Sequence, residues 1–168
     1  MNLTTFPFFF TSLNNKSTIA LNNQATFEYE FSETLTAGIQ LTGTEVKACR
    51  NGGGVQLSDG IAEIRDGECW LINVYISEYD RCGQMKQQHK PKRIRKLLLN
   101  RNEILRCEQR ILQRNFEIIP LRLFFSEKNF VKVELGVGKK KSLIDKRDDI
   151  EKRDGEREVR RVMKGGFD

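Results

Sequence analysis

The sequence is poor in the residues that most often assemble metal and redox sites. Its 168 residues include one histidine and four cysteines. Cys49, Cys69, Cys82 and Cys107 lie far apart and form no C-x-x-C pair, so neither a zinc site nor a redox motif can form at ligand spacing. Because His89 has no candidate catalytic partner nearby, an enzyme is not expected. We therefore expect no metal, no cofactor and a reducing compartment.

Long hydrophobic runs are also missing. No apolar stretch approaches the roughly 18 residues that cross a bilayer, which excludes an integral membrane protein. Phe6 and Phe8 belong to a short apolar run, but no basic residue precedes it as a signal peptide requires. Acidic residues are absent before Glu28, and the leader is rich in Ser, Thr and Asn. Residues 1–18 are therefore interpreted as a flexible N-terminal arm or as the remnant of an organelle transit peptide.

Positive charge is unevenly distributed along the chain. The net charge of the whole sequence is only +6. Residues 1–50 have a net charge of −1, whereas residues 86–101 carry seven basic and no acidic side chains. Residues 139–168 carry eleven basic and eight acidic side chains and few large apolar ones. A basic cluster on a balanced domain is typical of a protein that binds a polyanion, most often nucleic acid; the alternative is a solvated basic surface.

Alternating apolar and polar residues predict mostly β structure between the leader and the tail. The first segments with this pattern are residues 27–34, 37–41, 56–65 and 68–76. The last two are joined by Asp66-Gly67, a dipeptide typical of a tight hairpin turn. Residues 77–95 have no sustained periodicity and are interpreted as a long, basic, mobile loop. Residues 96–99 then predict a buried strand.

Two helices are predicted from their capping signals. Thr42 and Glu45 have the S/T-x-x-E spacing of a capping box, which predicts a helix to about Arg50, where a run of glycines ends it. Asn100 and Glu103 repeat this spacing before a second helix that ends near residue 115. The predicted apolar stripe of that helix consists of Ile104, Leu105, Cys107, Ile111 and Leu112. Its outer face carries Arg106, Arg110 and Arg114, which form either a basic ridge or a solvated face.

The last two predicted strands constrain the loop between them. Their apolar sides consist of Leu121, Leu123 and Phe125 on one strand and Val131, Val133 and Leu135 on the other. For Leu123 to lie opposite Val131, and Arg122 opposite Lys132, the numbers of paired residues must sum to an even value. The loop therefore needs an odd number of residues, such as residues 126–128. A slip of one residue would place Leu123 opposite Lys132 and turn the apolar side chains to solvent.

These elements indicate a mainly β protein with flanking helices, an α+β fold, and favour a closed β-barrel of the OB type. The expected parts are the arm or transit remnant (1–18), an OB-type RNA-binding barrel domain (19–138) and a basic C-terminal tail (139–168). Apolar residues in the tail are too sparse to pack, so we expect it to be disordered until it binds an anionic surface. Its apolar residues at helical spacing are Val159, Val162 and Met163. A permanently solvated tail is the alternative.

Five short segments of the chain, taken together and in this order, are specific enough to indicate one protein family. They are residues 37–47 (AGIQLTGTEVK), residues 70–73 (WLIN) with Ile76 and Ser77, residues 93–99 (RIRKLLL), residues 132–136 (KVELG), and Asp145-Lys146-Arg147. In this order they resemble the small protein B family, the SsrA-binding proteins, which carry transfer-messenger RNA to stalled ribosomes. The resemblance covers residues 19–164. Residues 39–47 and 70–73 look most like cyanobacterial members, which together with the leader suggests a plastid or cyanobacterial-type member.

The resemblance implies a fold and a set of partners. Members of the family fold as an OB-type barrel with flanking helices and bind the tRNA-like domain of transfer-messenger RNA. They deliver this RNA to the ribosome together with GTP-bound elongation factor Tu. Their C-terminal tail enters the empty mRNA channel at the decoding centre of the small subunit. By this resemblance we expect a monomer in the bacterial cytoplasm or the plastid stroma, with no membrane partner.

The resemblance also implies the residues that act. The expected RNA-binding residues are Asn22, Glu45, Lys47, Arg50, Arg93, Arg95, Lys96, Leu98, Lys132, Lys139 and Lys141. The expected ribosome-engaging tail residues are Asp145, Lys146, Arg147, Met163 and Lys164. The basic side chains would neutralise phosphates, and Leu98 would contact a splayed or stacked base. Without the resemblance, Leu98 would be interpreted as a residue of the strand core, and Glu45 as the residue that caps the helix.

An OB-fold protein that binds single-stranded RNA without regard to its structure is the alternative function. Such a protein would use stacked aromatic side chains, for which Trp70, Tyr75 and Tyr79 are the well-placed candidates. It would not need the tail. The two hypotheses differ in whether a folded tRNA-like domain is preferred over unstructured RNA.

Overall fold

The computed structural model describes residues 18–52, 54–79, 88–112 and 116–142, together with Val159 and Met163. In chain order the elements are β1 (Thr18–Leu21), α1 (Asn23–Glu28), β2 (Tyr29–Ile39), α2 (Gly43–Arg50), β3 (Val55–Gln56), β4 (Ile61–Arg65), β5 (Glu68–Ile72), β6 (Tyr75–Ile76), β7 (Arg95–Leu98), α3 (Arg101–Ile111), β8 (Phe116–Phe125) and β9 (Val131–Lys140). The protein is therefore mainly β with a few helices, as predicted.

Seven of these strands form one antiparallel sheet. Their order is β1-β8-β4-β5-β7-β2-β9, and β8 also pairs with β9. Strands β3 and β6 pair separately. Alternate residues of the large sheet point to its inner side, where the core residues include Leu71, Leu97, Leu123 and Val133. The residues between them face outwards, and this alternation decides which side chains can meet a partner.

A short helix near the start of the described chain was not predicted. Residues 27 and 28 belong to α1 rather than to a strand. Asn22 begins this helix, because its side-chain oxygen accepts a hydrogen bond from the amide of Ala25 at 3.0 Å. The two strands predicted over residues 27–34 and 37–41 are one continuous strand, β2, because β9 pairs with it along nearly its whole length.

The tight turn at Asp66-Gly67 is confirmed. Both residues have positive φ angles, of 53° and 71°, which a type I′ hairpin turn requires. The strands on either side are shorter than predicted. Before β4 the chain turns where the amide of Gly60 donates to the carbonyl of Leu57 at 2.9 Å. After β5 it turns at Asn73, whose φ angle is 60°.

Both predicted capping boxes are present. At the start of α2 the amide of Thr42 donates to Oε2 of Glu45 at 2.7 Å. At the start of α3 the amide of Asn100 donates to Oε2 of Glu103 at 2.8 Å. Gly52 has a φ angle of 71° just after α2, as predicted for a glycine that ends a helix.

The apolar stripe predicted for α3 is too wide. Ile104 and Cys107 are buried, and α3 packs mainly on β8. The other three residues of the stripe are exposed, namely Leu105, Ile111 and Leu112. A helix that packs on a sheet along one side buries only residues spaced three or four positions apart on that side, so the side chains beside them remain exposed to solvent. The helix ends at Ile111, with Leu112 as its C-cap, so the predicted end near residue 115 is about four residues too late. Arg106 and Arg110 are exposed, while Arg114 lies outside the described residues.

The parity predicted for the β8–β9 hairpin is confirmed, but its partners differ by two residues. Leu123 lies opposite Val133, and Arg122 lies opposite Glu134. From Arg122 to Phe125 the paired numbers sum to an even value, and the loop contains residues 126–130, which is an odd number of residues. Because this loop is two residues longer than the example considered, Leu123 does not lie opposite Val131.

Next to the loop the inward-facing side of each strand is the one predicted. A register shift between Pro120 and Arg122 leaves Leu121 out of the pairing with β9, so Leu135 lies opposite Pro120. The prediction is wrong for Leu121, which is only half-buried.

The last strand extends beyond the predicted boundary at residue 138. Lys139 and Lys140 pair with Glu30 and Tyr29 of β2 and therefore belong to the sheet. Beyond residue 142 the described residues are Val159 and Met163, both in helical conformation. The predicted disorder of the tail is therefore wrong for Lys139 and Lys140, which lie in β9. The tail residues 143–158, 160–162 and 164–168 and the predicted arm, except for Thr18, lie outside the described residues.

Candidate RNA-binding surface

Three of the predicted RNA-binding residues share the outer face of the large sheet. Lys96 and Leu98 are two residues apart on β7 and point to the same side. Gly38 of β2 pairs with Leu98 on one side and with Lys132 of β9 on the other, so Lys132 lies on this face too. Leu98 is 57% exposed, so it is not ordinary strand core. An exposed apolar side chain therefore lies between two lysines of one surface.

Glu45 and Arg95 form a buried ion pair behind this face. Both side chains are fully buried, and Nε of Arg95 lies 2.9 Å from Oε1 of Glu45. Arg93, which is about one third exposed, donates from Nη2 to Oε2 of the same carboxylate at 2.7 Å. One carboxylate thus holds two arginines while it also caps α2. The network fixes the start of α2 against the segment that leads into β7.

Arg95 is a strand residue and not part of a solvated loop. Its guanidinium donates to three backbone carbonyls, those of Val74, Pro91 and Arg93, at 2.7 to 2.9 Å. These bonds join the segment before β7 to the chain between β5 and β6. The long basic loop predicted over residues 77–95 therefore ends earlier than expected. Arg95 is charged, so its burial through hydrogen bonds does not show in the sequence as an apolar periodicity.

His89 anchors the same segment from its other side. It is buried, with Nδ1 3.0 Å from the hydroxyl oxygen of Thr44 and Nε2 3.2 Å from the carbonyl oxygen of Ile76. Residues 88–95 are thus held by hydrogen bonds to α2 and β6. The part of the predicted loop over residues 80–87 lies outside the described residues.

The carboxyl group of Glu45 is kept in its charged form by its surroundings. Burial alone would raise its pKa. The hydrogen bonds from Arg93 and from the amide of Thr42, together with the charge of Arg95, outweigh burial and lower the pKa from 4.5 to about 2. The ion-pair network is therefore complete at neutral and mildly acidic pH.

We expect Glu45 to make the stability of the fold depend on pH between 4.5 and about 2. Its folded pKa lies below its unfolded value, so it stabilises the fold above the unfolded pKa and loses this contribution, about 3 kcal/mol, as the pH falls. Urea unfolding at pH 7, 4.5 and 3 would measure this. The decrease should be smaller in Glu45→Gln than in the unmodified chain, and equal decreases would contradict the role of the carboxylate.

Lys47 and Arg50 are three residues apart and lie on the exposed side of α2. Nζ of Lys47 is 5.9 Å from the centroid of the Tyr79 ring. The carbonyl of Tyr79 in turn accepts a hydrogen bond from Nε2 of Gln88 at 2.7 Å. The basic side of α2 therefore lies beside the segment that carries Arg93.

Two further predicted residues, Lys139 and Lys141, lie at the other end of the sheet. On β2, Gly38 pairs with Lys132, whereas Glu30 pairs with Lys139. At about 3.3 Å per residue, these two positions on β2 are about 25 Å apart. The predicted RNA-binding residues are therefore divided between two places on the molecule.

Asn22 lies in the interior near this second place. Its oxygen caps α1, and its Nδ2 donates to the carbonyls of Leu57 and Pro120 at 3.1 and 3.0 Å. Like Glu45 and Arg95, it is buried and hydrogen bonded within the protein. These three of the predicted RNA-binding residues lie behind the surface in this structure and not on it.

Of the predicted tail residues, the structure describes Met163. It is helical, and its side chain is 75% exposed. The remaining tail residues, which are Asp145, Lys146, Arg147 and Lys164, lie outside the described residues.

Two aromatic residues also lie on the outer face: Trp70, which the sequence indicates only for the alternative single-strand binder, and Phe124, which the prediction does not include. Trp70 of β5 pairs with Lys96, whose Nζ lies 5.8 Å from the centroid of the indole ring. Phe124 of β8 pairs with Lys132, and Cζ of Arg122 lies 4.4 Å from its ring centroid. Alternation along each strand was a signal for the outward direction of both rings, but it does not show which strands are neighbours.

The described cysteines offer no reactive thiolate at neutral pH. Cys49, Cys69 and Cys107 are buried, and burial raises the pKa values of their thiols to about 11, 12 and 11. Within the described ranges, no group of three or more His, Cys, Asp or Glu side chains is placed to hold a metal ion. In the same ranges, no helix is long and apolar enough to span a membrane.

A mainly β domain that presents lysines, an exposed leucine and aromatic rings on one face has the features of a small RNA-binding protein. The family model described as SmpB protein matches residues 19–165. The chain therefore belongs to the SmpB family, the SsrA-binding proteins, and the resemblance seen in the sequence is confirmed.

Its relatives include cyanobacterial proteins that match over most of their length. The chain is 47% identical to the SsrA-binding protein of Nostoc punctiforme over 146 residues, which are 87% of this chain and 92% of the relative. It is 48% identical to that of Gloeothece citriformis over 143 residues, covering 85% of this chain and 90% of the relative. A solved structure described as "tmRNA-SmpB: a journey to the center of the bacterial ribosome" contains a chain with a TM-score of 0.61 and 38% identity. The match covers 74% of this chain and 85% of that one.

Proposed function

We propose that this protein binds the tRNA-like domain of transfer-messenger RNA and delivers it to stalled ribosomes for trans-translation. The observation that carries the proposal is the outer face, where Lys96, Leu98 and Lys132 lie together in front of the Glu45–Arg95 ion pair. The names of the relatives and of the solved structure support this RNA and the bacterial ribosome as partners. The protein acts as a carrier and not as an enzyme.

The proposed architecture is a closed barrel of the OB type. Supporting this, β8 pairs with β4 through Ala62 and Ile118, and it also pairs with β9 over most of its length. Strands β4, β5, β7, β2 and β9 each have a partner on both sides. A barrel of this kind commonly presents RNA with its outer surface and loops.

The proposed RNA contacts follow from exposure. Side chains that reach solvent near the outer face would bind phosphates or bases; these are Lys47, Arg50, Arg93, Lys96, Leu98 and Lys132. Glu45 and Arg95 position Arg93 and the start of β7 from behind. Lys139 and Lys141 would contact a separate part of the RNA, supported by α1 and its cap Asn22.

The C-terminal tail has a different proposed partner. We place Asp145, Lys146, Arg147, Met163 and Lys164 in the empty mRNA channel of the small subunit, where the tail becomes helical. Val159 and Met163 support this, since each is in helical conformation and exposed. Elongation factor Tu accompanies the RNA, and the protein acts as a monomer in the bacterial cytoplasm or the plastid stroma.

A binding measurement tests the proposed function. The full chain is titrated into a labelled tRNA-like domain of transfer-messenger RNA and into unstructured RNA of equal length, at moderate salt. We expect tighter binding to the tRNA-like domain. With roughly six phosphate contacts, the affinity should fall about a thousandfold from low to moderate salt.

Matched variants on the β8–β9 hairpin localise the contact. Lys132→Gln should weaken binding and reduce the salt dependence by about one phosphate contact. Lys128→Gln, on the exposed loop of the same hairpin, should bind like the unmodified chain. Equal affinities of the unmodified chain for the two RNAs would indicate a general single-strand binder and contradict the proposal.

A further inference from the structure

His89 is a buried side chain that the proposed function does not use, and it is the chain's one histidine. Its two ring nitrogens contact different elements. Nε2 lies 3.2 Å from the carbonyl oxygen of Ile76 in β6, and Nδ1 lies 3.0 Å from Oγ1 of Thr44 in α2. A carbonyl oxygen can only accept a hydrogen bond, so Nε2 carries the proton of the neutral ring and Nδ1 accepts from the Thr44 hydroxyl. His89 therefore joins β6 to the first turn of α2.

A tight turn comes directly after this histidine. The carbonyl of Lys90 accepts a hydrogen bond from the amide of Arg93 at 3.1 Å. Pro91 occupies the second position, where proline favours such a turn. The carbonyl of Pro91 in turn accepts from the amide of Ile76 at 3.1 Å. We call residues 90–93 the basic turn; these backbone bonds fix both its shape and its place beside β6.

The basic turn exposes positive charge. Lys90 and Lys92 are exposed, and neither forms an ion pair with another residue that the structure describes. Both belong to the basic stretch seen in the sequence, but they are not among the expected RNA-binding residues. A phosphate would therefore meet these two lysines without displacing a carboxylate of the described chain.

Both ends of the basic turn are held to α2. Before the turn, His89 accepts from Thr44, and at its end Nη2 of Arg93 donates to Oε2 of Glu45 at 2.7 Å. Thr44 and Glu45 are consecutive residues, so the two contacts lie on the same turn of the helix. The cations of the basic turn therefore keep a fixed position relative to the exposed cations of α2, which are Lys47 and Arg50.

We infer that His89 is a positioning residue: through Thr44 it fixes the basic turn beside α2, and this fixed arrangement makes the protein prefer folded RNA to unstructured RNA. The inference rests on the proposed function and adds Lys90 and Lys92 as phosphate contacts. The phosphates of a folded RNA have a set spacing, which a preorganised set of cations matches without a further cost of ordering. Unstructured RNA can move its phosphates to wherever the cations lie, so it gains little from their fixed arrangement.

Two variants release the basic turn from α2 in different ways. Thr44→Val removes the hydroxyl and nearly keeps the shape of the side chain. His89→Gln places an amide nitrogen near the position of Nε2, so it can still donate to Ile76 but not accept from Thr44. Binding of the full chain to the tRNA-like domain and to unstructured RNA of equal length is measured at moderate salt. Each variant should bind the folded RNA about tenfold more weakly and the unstructured RNA as well as the unmodified chain does.

His89→Asn is the matched control. Its amide oxygen lies near the position of Nδ1 and can accept from Thr44, so this variant should keep the preference for the folded RNA. A merely structural role of His89 would not separate the two amide variants in this way. A second readout uses a chain with Lys90→Gln and Lys92→Gln. There, adding Thr44→Val should weaken binding of the folded RNA by no more than about threefold, because the cations that it positions are gone.

The ring of His89 reports the assigned hydrogen bonds directly, because no other histidine contributes signals. In ¹⁵N spectra of the full chain without RNA, at a pH where the ring is neutral, we expect a proton on Nε2 and none on Nδ1. Thr44→Val should shift the Nδ1 signal. A proton on Nδ1 would overturn the inference, since Nδ1 could then not accept from Thr44.

The outcomes separate this inference from the proposed function. If the unmodified chain does not prefer the tRNA-like domain, the proposed function is wrong. If it does, but Thr44→Val and His89→Gln keep the full preference or lose affinity for both RNAs equally, only the inference is overturned. Circular dichroism and urea unfolding show which variants are folded. Should His89→Gln fail to fold, Thr44→Val decides alone, since Thr44 is only half-buried.

Discussion

Replacing Glu45 with glutamine should lower the free energy of unfolding by about 3–5 kcal/mol, because it leaves Arg95 buried without a counter-charge. Both side chains are fully buried, and Arg93 shares the same carboxylate. Glutamine keeps the size of the side chain and an oxygen that can still cap α2. The loss therefore measures the missing charge, and urea unfolding at pH 7 would determine it.

Glu103→Gln is the matched control for this variant. Glu103 has the same position in the capping box of α3, but it forms no ion pair with any described residue. Its substitution should cost no more than about 1 kcal/mol. Adding Arg95→Met to Glu45→Gln should recover part of the lost stability, since the unpaired charge is removed. Equal costs for the two glutamate substitutions would contradict the role assigned to the buried pair.

Removal of residues 143–168 should abolish tagging on stalled ribosomes while leaving binding of the tRNA-like domain intact. The described strands end at Lys140, and Lys96, Leu98 and Lys132 all lie before the cut. The removed segment contains the residues proposed to enter the mRNA channel. The measurements are RNA affinity by anisotropy and tag addition in a reconstituted translation reaction.

A shorter truncation controls for the loss of chain length. The family match ends at residue 165, so a chain lacking only residues 166–168 should retain both RNA binding and tagging. Loss of RNA binding together with tagging in the longer truncation would show that the tail and the folded domain do not act separately.

Local signals in the sequence were sufficient for several elements. The two capping boxes and the Asp66-Gly67 turn depend on residues within three positions of each other, and all three are present. The parity of the β8–β9 hairpin followed from alternation alone, because each apolar side must face the core. The missed helix α1 is short, and the predicted strand from residue 27 overlapped its last two residues.

Contacts between distant segments could not be predicted from the residues alone. The sequence predicts Arg95 in a long, basic, mobile loop, because the residues around it are basic and lack periodicity. Its burial depends on Glu45, 50 residues away, and on backbone carbonyls that no sequence pattern reveals. Likewise, alternation along the strand can indicate the outward direction of Trp70, but its place beside Lys96 depends on the pairing of β5 with β7.

Tag addition in a reconstituted system tests the central claim most directly. Ribosomes stalled at the end of a truncated mRNA are supplied with alanylated transfer-messenger RNA, elongation factor Tu and GTP, with or without the full chain. The account predicts that the encoded tag is added to the stalled peptide only when the full chain is present. If the full chain binds the RNA but no tag is added either with or without the chain, the central claim is contradicted.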